Sequence, residues 1–306
     1  MWIPFIGSLV FVFLVLLYAW RTNFRFLHGK RKAPDVRGGQ LSCNVLNRYE
    51  RDDKIVFLSD TQRYWVDDVP YFYVQEVVEH YFPGFDMEMY SELLADDAEM
   101  SPEQLKEQWN AHNEEARKVG QFMHQQIARR ILGKQVQMNY NFMFTGKHLA
   151  VNRWVSIITE MNQFQQFWLS ARLRPFRVHW IVYDEEHHLV ACIDLIAQDE
   201  QGRYVMYNWV RSQRMGCETN DGFLLSPSVA KSHAHPPIAH VPDTSFHREA
   251  LQMNMARLLL QQHYHLSVSN MYIVILHAHH SEFHLLDVPL MVQEASVVLS
   301  CSDYEA

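Results

Sequence analysis

The sequence predicts an α/β fold in which a sheet is flanked by helices and preceded by one transmembrane helix. Three observations carry this. Residues 189–212 read as a β-hairpin, extended and helical patterns alternate from residue 54 to residue 299, and residues 2–20 form an apolar run without a charge.

Within the hairpin, residues 190–196 and 203–210 are rich in β-branched and aromatic side chains, and Asp199-Glu200-Gln201-Gly202 between them is turn chemistry. Side chains alternate across a strand, so Asn208 and Val210 share one face, and Asp194 joins them if the register allows. A hydrolytic site would be built here.

The run at 2–20 matches the length of a membrane-spanning helix, about 20 residues. No basic residue precedes it and no small-residue cleavage pattern follows, so a retained anchor is expected rather than a signal peptide. The basic residues Arg21, Arg25, Lys30, Arg31 and Lys32 follow immediately, which by the positive-inside rule places the rest of the chain on the cytoplasmic side. The expected organisation is an anchor over 1–22, a basic juxtamembrane segment and linker over 23–50, and one folded domain over 51–300. Pro34 and Gly38-Gly39 mark the linker, read to extend from 33 to 46.

The formal net charge is −8, and taking away the +5 of residues 1–32 leaves −13 on the remainder. Such a body repels a phosphate backbone at long range, so a protein partner is favoured and nucleic acid is the second partner class. Cys43, Cys192, Cys217 and Cys301 are far apart, with no CxxC pair, so neither a zinc ribbon nor a dense disulfide framework is indicated. A hydrophobic content of 48% over 306 residues suffices for a sizeable core.

In the folded part, 54–59 and 63–66 read as strands, and 71–82 as a helix or a strand-to-helix entry. Ser101-Pro102-Glu103-Gln104 is a helix start, with a capping Ser and Pro at the first helical position. The helix that follows, over 114–132, carries Gly120, His124 and Ala128 near one face. Residues 151–173 read as an amphipathic helix whose stripe is Trp154, Ile157, Ile158, Met161 and Phe164 or Phe167. Residues 176–183 read as a strand turning at 184–188 into the hairpin, 223–244 as a long loop and 248–264 as a helix. Strands at 271–277 and 282–288 and a helix at 290–299 close the chain.

The hairpin resembles the core of the PD-(D/E)XK nuclease superfamily, in its RecB-like exonuclease branch, where relatives read Ile-Asp-Leu-Leu, a short turn, then Asp-Trp-Lys-Arg-Ser. This chain has Ile193-Asp194-Leu195-Ile196, then Trp209, Arg211 and Ser212, but Asn208 stands for the acid and Val210 for the lysine. The resemblance extends to Tyr64-Trp65-Val66-Asp67-Asp68 and Phe82-Pro83-Gly84-Phe85-Asp86. It includes the helix where Gly120, His124 and Ile127 match and Ala128 replaces a Glu. It also includes Gln252-Met253-Asn254-Met255-Ala256-Arg257, where the Gln is kept and Ala256 replaces a Tyr. Relatives commonly carry an acid where His179 stands.

The resemblance implies a restriction-endonuclease-like core, a mixed central sheet flanked by helices, and family-equivalent site positions at His124, Asp194, Asn208, Val210 and Gln252. A nuclease of this class uses carboxylates to hold Mg²⁺ or Mn²⁺ and a lysine to position the attacking water. With Asn208, Val210, Ala128 and Ala256 in place of the expected groups, the expectation is a pseudo-nuclease without cofactor, acting as a protein- or nucleic-acid-binding module.

Three alternatives accompany it. A rebuilt metal-dependent DNA exonuclease would recruit Glu185, Glu186 or Arg211. A transition-metal site would use His124, His179 and Asp194, a set that suits Zn²⁺. Finally, the domain is a spacer on a functional anchor.

Overall fold

A computed structural model describes residues 36–37, 40–58, 63–213, 215 and 232–301. The expected anchor at 2–20 and its basic flank lie outside the described residues. Among the described residues no helix is long and apolar enough to cross a membrane.

The body is built on an eight-stranded mixed sheet. In chain order its strands are β3 (Ile55–Leu58), β4 (Arg63–Val66), β5 (Val69–Tyr73), β8 (Arg174–Asp184), β9 (Leu189–Gln198), β10 (Tyr204–Val210), β11 (Val268–Ile275) and β12 (His284–Asp287). They run in the order β12-β11-β10-β9-β5-β4-β3, with β8 also paired to β9. The β10–β11 and β5–β9 pairs are parallel and the others antiparallel. A short pair, β1 (Val36–Arg37) with β2 (Gln40–Leu41), and the separate hairpin of β6 (Asn139–Thr145) and β7 (Ala150–Ser156) complete the strands.

Seven α-helices are described: α1 (Cys43–Leu46), α2 (Val74–His80), α3 (Met87–Leu94), α4 (Pro102–Ile131), α5 (Ile158–Ala171), α6 (Ser245–His263) and α7 (Val292–Ser300). Apolar residues on both faces of the sheet explain the layers. Val77 and Val78 of α2, Leu251 and Leu259 of α6 and Val298 of α7 pack with Ile193, Met206 and Ile273 on one side. Val119, Met123 and Ile127 of α4 and Phe164 and Phe167 of α5 pack with Leu195, Tyr207 and Trp209 on the other.

The capping residues act as expected. Ser101 Oγ accepts from Gln104 N and Gln104 Oε1 accepts from Ser101 N at 3.0 Å, starting the 30-residue α4. Upstream, the Asn44 side chain bonds both backbone groups of Val178 at 2.8 Å, and Asn47 Nδ2 donates to Phe176 O at 3.0 Å. The reading of 33–46 as linker does not anticipate this turn of helix, which is tied to β8 by side-chain amides rather than by an apolar stripe.

The amphipathic helix expected over 151–173 is shorter than its pattern. Its first part is β7, paired along its whole length with β6, and α5 begins only at Ile158. Trp154 is 72% exposed, whereas Ile157, Met161, Phe164 and Phe167 are buried. The apolar spacing suited both structures, and pairing with the alternating sequence of β6 decided for a strand.

Candidate functional site

β9 forks the sheet. One edge of it pairs with β8 on both sides of Asp194, but the other is shared, with β5 taking Leu189 and Val190 and β10 taking Leu195 to Gln198. Residues between those two partners sit in the fork, and Asp194 is at its end. The alternation of side chains also breaks there. Ile193 packs beneath α6 and Leu195, two residues on, packs beneath α4 and α5, although a regular strand would put both on one face. Across the ladder the same switch separates Trp180 from Val178, with His179 between them at φ 49°. That left-handed backbone is uncommon for a residue with a side chain and re-aims the strand at this point.

The β9–β10 ladder ends at Leu195 opposite Tyr207, so Asp194 and Asn208 occupy the next rung, but instead of sharing one face Asp194 turns toward α4 and Asn208 toward α6. Asp194 Oδ1 meets His124 Nδ1 of α4 at 3.0 Å and Asp194 Oδ2 accepts from Trp209 N at 2.9 Å. Asn208 turns toward α6, its Oδ1 accepting from Asp194 N at 3.4 Å and its Nδ2 donating to Glu249 Oε1 at 2.9 Å. The result is a chain of polar contacts through the fork from one helical layer to the other. Gln252, one turn beyond Glu249, lines a cleft of about 90 Å³ with Tyr73, Cys192 and Asn208. Val210 is half-buried and packs on the apolar core.

Burial opposes a charge on His124, but the Asp194 carboxylate, helped by Glu249 and the Trp209 carbonyl, overrides it and raises the imidazole above its usual value. Burial and the neighbouring Asp194 raise Glu249, against the Asn208 hydrogen bond and His124. His179 and Cys192 reach solvent, with His179 Nδ1 3.7 Å from Cys192 Sγ. Protein nevertheless crowds both, and that desolvation holds His179 below the ordinary imidazole value and Cys192 above the ordinary thiol value. Cys192 is therefore a thiol rather than a nucleophilic thiolate at neutral pH.

The structure brings His124, Asp194, Asn208 and Gln252 together and leaves Val210 as packing. The recruits considered for a rebuilt site are engaged elsewhere. Glu185 pairs with Arg51 at 2.5 Å, Glu186 sits in the turn over Asp184, and Arg211 Nε donates to the fully buried Glu160 at 2.9 Å. The residue missed was Glu249, whose only sequence signal is its place three residues before Gln252 on one helical face.

As a cation site the constellation fits poorly. Mg²⁺ asks for near-octahedral oxygen ligands, and beside Asp194 stand an imidazole, His124, and a neutral amide, Asn208, which holds Glu249 Oε1. Among the described residues, no group of three or more His, Cys, Asp or Glu side chains is placed to hold a metal ion, the set of His124, His179 and Asp194 included.

No protein-family model and no curated protein matches the chain. Among solved structures, the crystal structure of SSO0001 is similar over 75% of this chain and 72% of that chain, at 9% identity and a TM-score of 0.29. A likeness of that size carries no functional argument.

Proposed function

We propose that the chain is a PD-(D/E)XK nuclease-like protein held in a membrane by residues 2–20, with its folded part on the cytoplasmic side. Its catalytic centre has closed, and it acts by binding a protein partner, with nucleic acid as the second partner class. One observation carries this reading: Asn208, a neutral amide, bridges Asp194 N and Glu249 where a second carboxylate would be needed, and Asp194 is itself paired with His124 and Trp209 N. The position of the expected lysine is the packed Val210. A cleft of about 90 Å³ is also far smaller than the several hundred Å³ a nucleotide-sized ligand fills.

A second reading has an observation of its own. Glu249 adds a carboxylate beside Asp194, and its Oε1 occupies the place in front of Asn208. A rebuilt, metal-dependent DNA exonuclease would use that pair. Titration of the full chain with Mg²⁺ and Mn²⁺, following single- and double-stranded DNA, separates the two.

The pseudo-nuclease reading expects no cleavage by the natural chain. It expects cleavage to appear in Asn208→Asp/Val210→Lys, whose new lysine offsets the new carboxylate. Cleavage by the natural chain that disappears in both Asp194→Ala and Glu249→Gln would establish the exonuclease instead.

A further inference from the structure

Helix α3 is inverted. A surface helix ordinarily turns its apolar side inward, yet α3 buries Ser91 and exposes Met89, Tyr90, Leu93 and Leu94, with Leu93 at 68%. Spacings of three and four residues place these side chains on one stripe. Phe85, itself 64% exposed, prolongs the stripe by stacking on Tyr90 at 5.0 Å and meeting Trp109 edge-on at 5.6 Å.

The first turn of the helix is fixed by a cap and an ion pair. Asp86 Oδ1 caps it by accepting from Met89 N at 2.9 Å, and Lys106 of α4 pairs with Glu88 at 2.8 Å. Around the stripe the charge is mainly acidic: residues 85–105 contain seven acidic side chains and no basic one, and the adjacent Lys106 is paired with Glu88. A contiguous apolar patch with a polar rim marks an interaction site on a folded protein.

We propose that the outward face of α3 is a docking surface for a cationic amphipathic helix of a protein partner. The proposal rests on the reading that the chain acts by binding protein, and it supplies the surface and the chemistry. Apolar anchors one turn apart on the partner lie along Met89, Leu93 and Phe85, while its Lys and Arg residues meet Glu92, Asp96 and Asp97. The acidic rim opposes an anionic membrane surface. It also opposes a second copy of this chain, because a two-fold contact would set the same carboxylates against each other.

The test uses the full chain in zwitterionic lipid nanodiscs, with empty discs as the blank. Fluorescence anisotropy follows a labelled synthetic helix of Leu and Lys, beside the same helix with Glu for every Lys. The Leu/Lys helix binds saturably and the Leu/Glu helix does not.

Leu93→Asp weakens binding by about tenfold, since one central apolar anchor is lost, although it adds an acid and would strengthen a purely electrostatic contact. Glu92→Lys/Asp96→Lys weakens it and flattens its dependence on salt. Leu93 is exposed, so the variant keeps its thermal midpoint, which is measured alongside.

Absence of saturable binding above the blank, equal binding of the Leu/Glu helix, or insensitivity to Leu93→Asp overturns the proposal. Self-association abolished by Leu93→Asp also overturns it, by giving the face to a second copy. DNA cleavage by the natural chain would sink the pseudo-nuclease reading while leaving the peptide result to stand by itself.

Discussion

Asn208 Nδ2 donates to Glu249 Oε1 at 2.9 Å, and this one amide joins strand β10 to helix α6. Asn208→Asp therefore places two carboxyl groups at bonding distance, beside Asp194, where only one can ionise freely. Burial has already raised Glu249, and a raised carboxyl contributes stability that is fully present below its unfolded pKa and lost as pH rises through its folded value. The variant is expected to be less stable than wild type by about 1–3 kcal/mol at pH 7, the cost of turning a satisfied buried bond into a repulsive one. The deficit shrinks at pH 5 as Glu249 takes a proton. Urea denaturation at both values checks this, and an equal deficit at the two would mean that Glu249 does not face Asn208 in solution.

His124 and Asp194 make the second titrating pair, at 3.0 Å. Burial disfavours the imidazolium, and Asp194 outweighs it to raise the pKa. The stability this pair supplies is fully present below pH of about 6.5, the unfolded value, and fades as pH rises through the folded value. In the NMR spectrum, the His124 Cε1 proton is expected to titrate above the ordinary imidazole value. Asp194→Asn should lower it, since burial is then opposed only by Glu249 and the Trp209 carbonyl. A His124 midpoint that ignores Asp194→Asn would contradict the pairing.

How much of this was legible follows from what each feature depends on. The rung that sets Asp194 against Asn208 could be read from alternation in two strands and a four-residue turn, because both are local. The start of α4 could be read at Ser101 and Pro102 for the same reason. Glu249 could not: it is one acid in a helix, and only the packing of α6 over the fork gives it a partner in β10. The β6–β7 hairpin hid behind apolar residues in 151–155 that suit either period, and the exposed face of α3 hid behind a pattern that normally points inward. The His179 backbone switch leaves no mark in residue type at all.

Arg177 and Asp52 join the segment before β3 to the sheet. Arg177 Nη1 donates to Asp52 Oδ2 and to Asn47 O, each at 2.7 Å, and its guanidinium lies 4.5 Å over the Trp180 ring. Asp52 Oδ1 also accepts from Trp180 Nε1 at 3.0 Å. Arg177 is 6% exposed, so Asp52→Ala strands a buried cation and a buried indole N–H. The expected loss is about 3–5 kcal/mol, the range for breaking one side of a buried pair. Asp52→Ala/Arg177→Met should recover part of it, because no uncompensated charge remains. Chemical denaturation of the three chains gives both numbers, and a double variant no better than the single would place the cost in packing rather than charge.

His277 is one group that couples stability to acid. Gln163, 1% exposed, donates to the carbonyls of His277 and His280 at 3.0 and 2.7 Å and accepts from His277 N at 2.9 Å, fixing the loop after β11. The His277 ring is held 4.9 Å from that of His279 and 5.7 Å from that of His280, near Arg211, which Glu160 of α5 anchors. Burial, and then repulsion from Arg211, His279 and His280, push its pKa down to about 4. The unfolded chain therefore binds this proton first as pH falls. Stability is fully present above the unfolded value near 6.5 and is lost progressively toward the folded value. Between pH 7 and 4.5 the urea midpoint of wild type should fall more steeply than that of His277→Gln, which keeps the hydrogen-bonding length of the ring without its proton affinity. Parallel slopes would assign the acid sensitivity to carboxylates elsewhere and leave the histidine loop as packing alone.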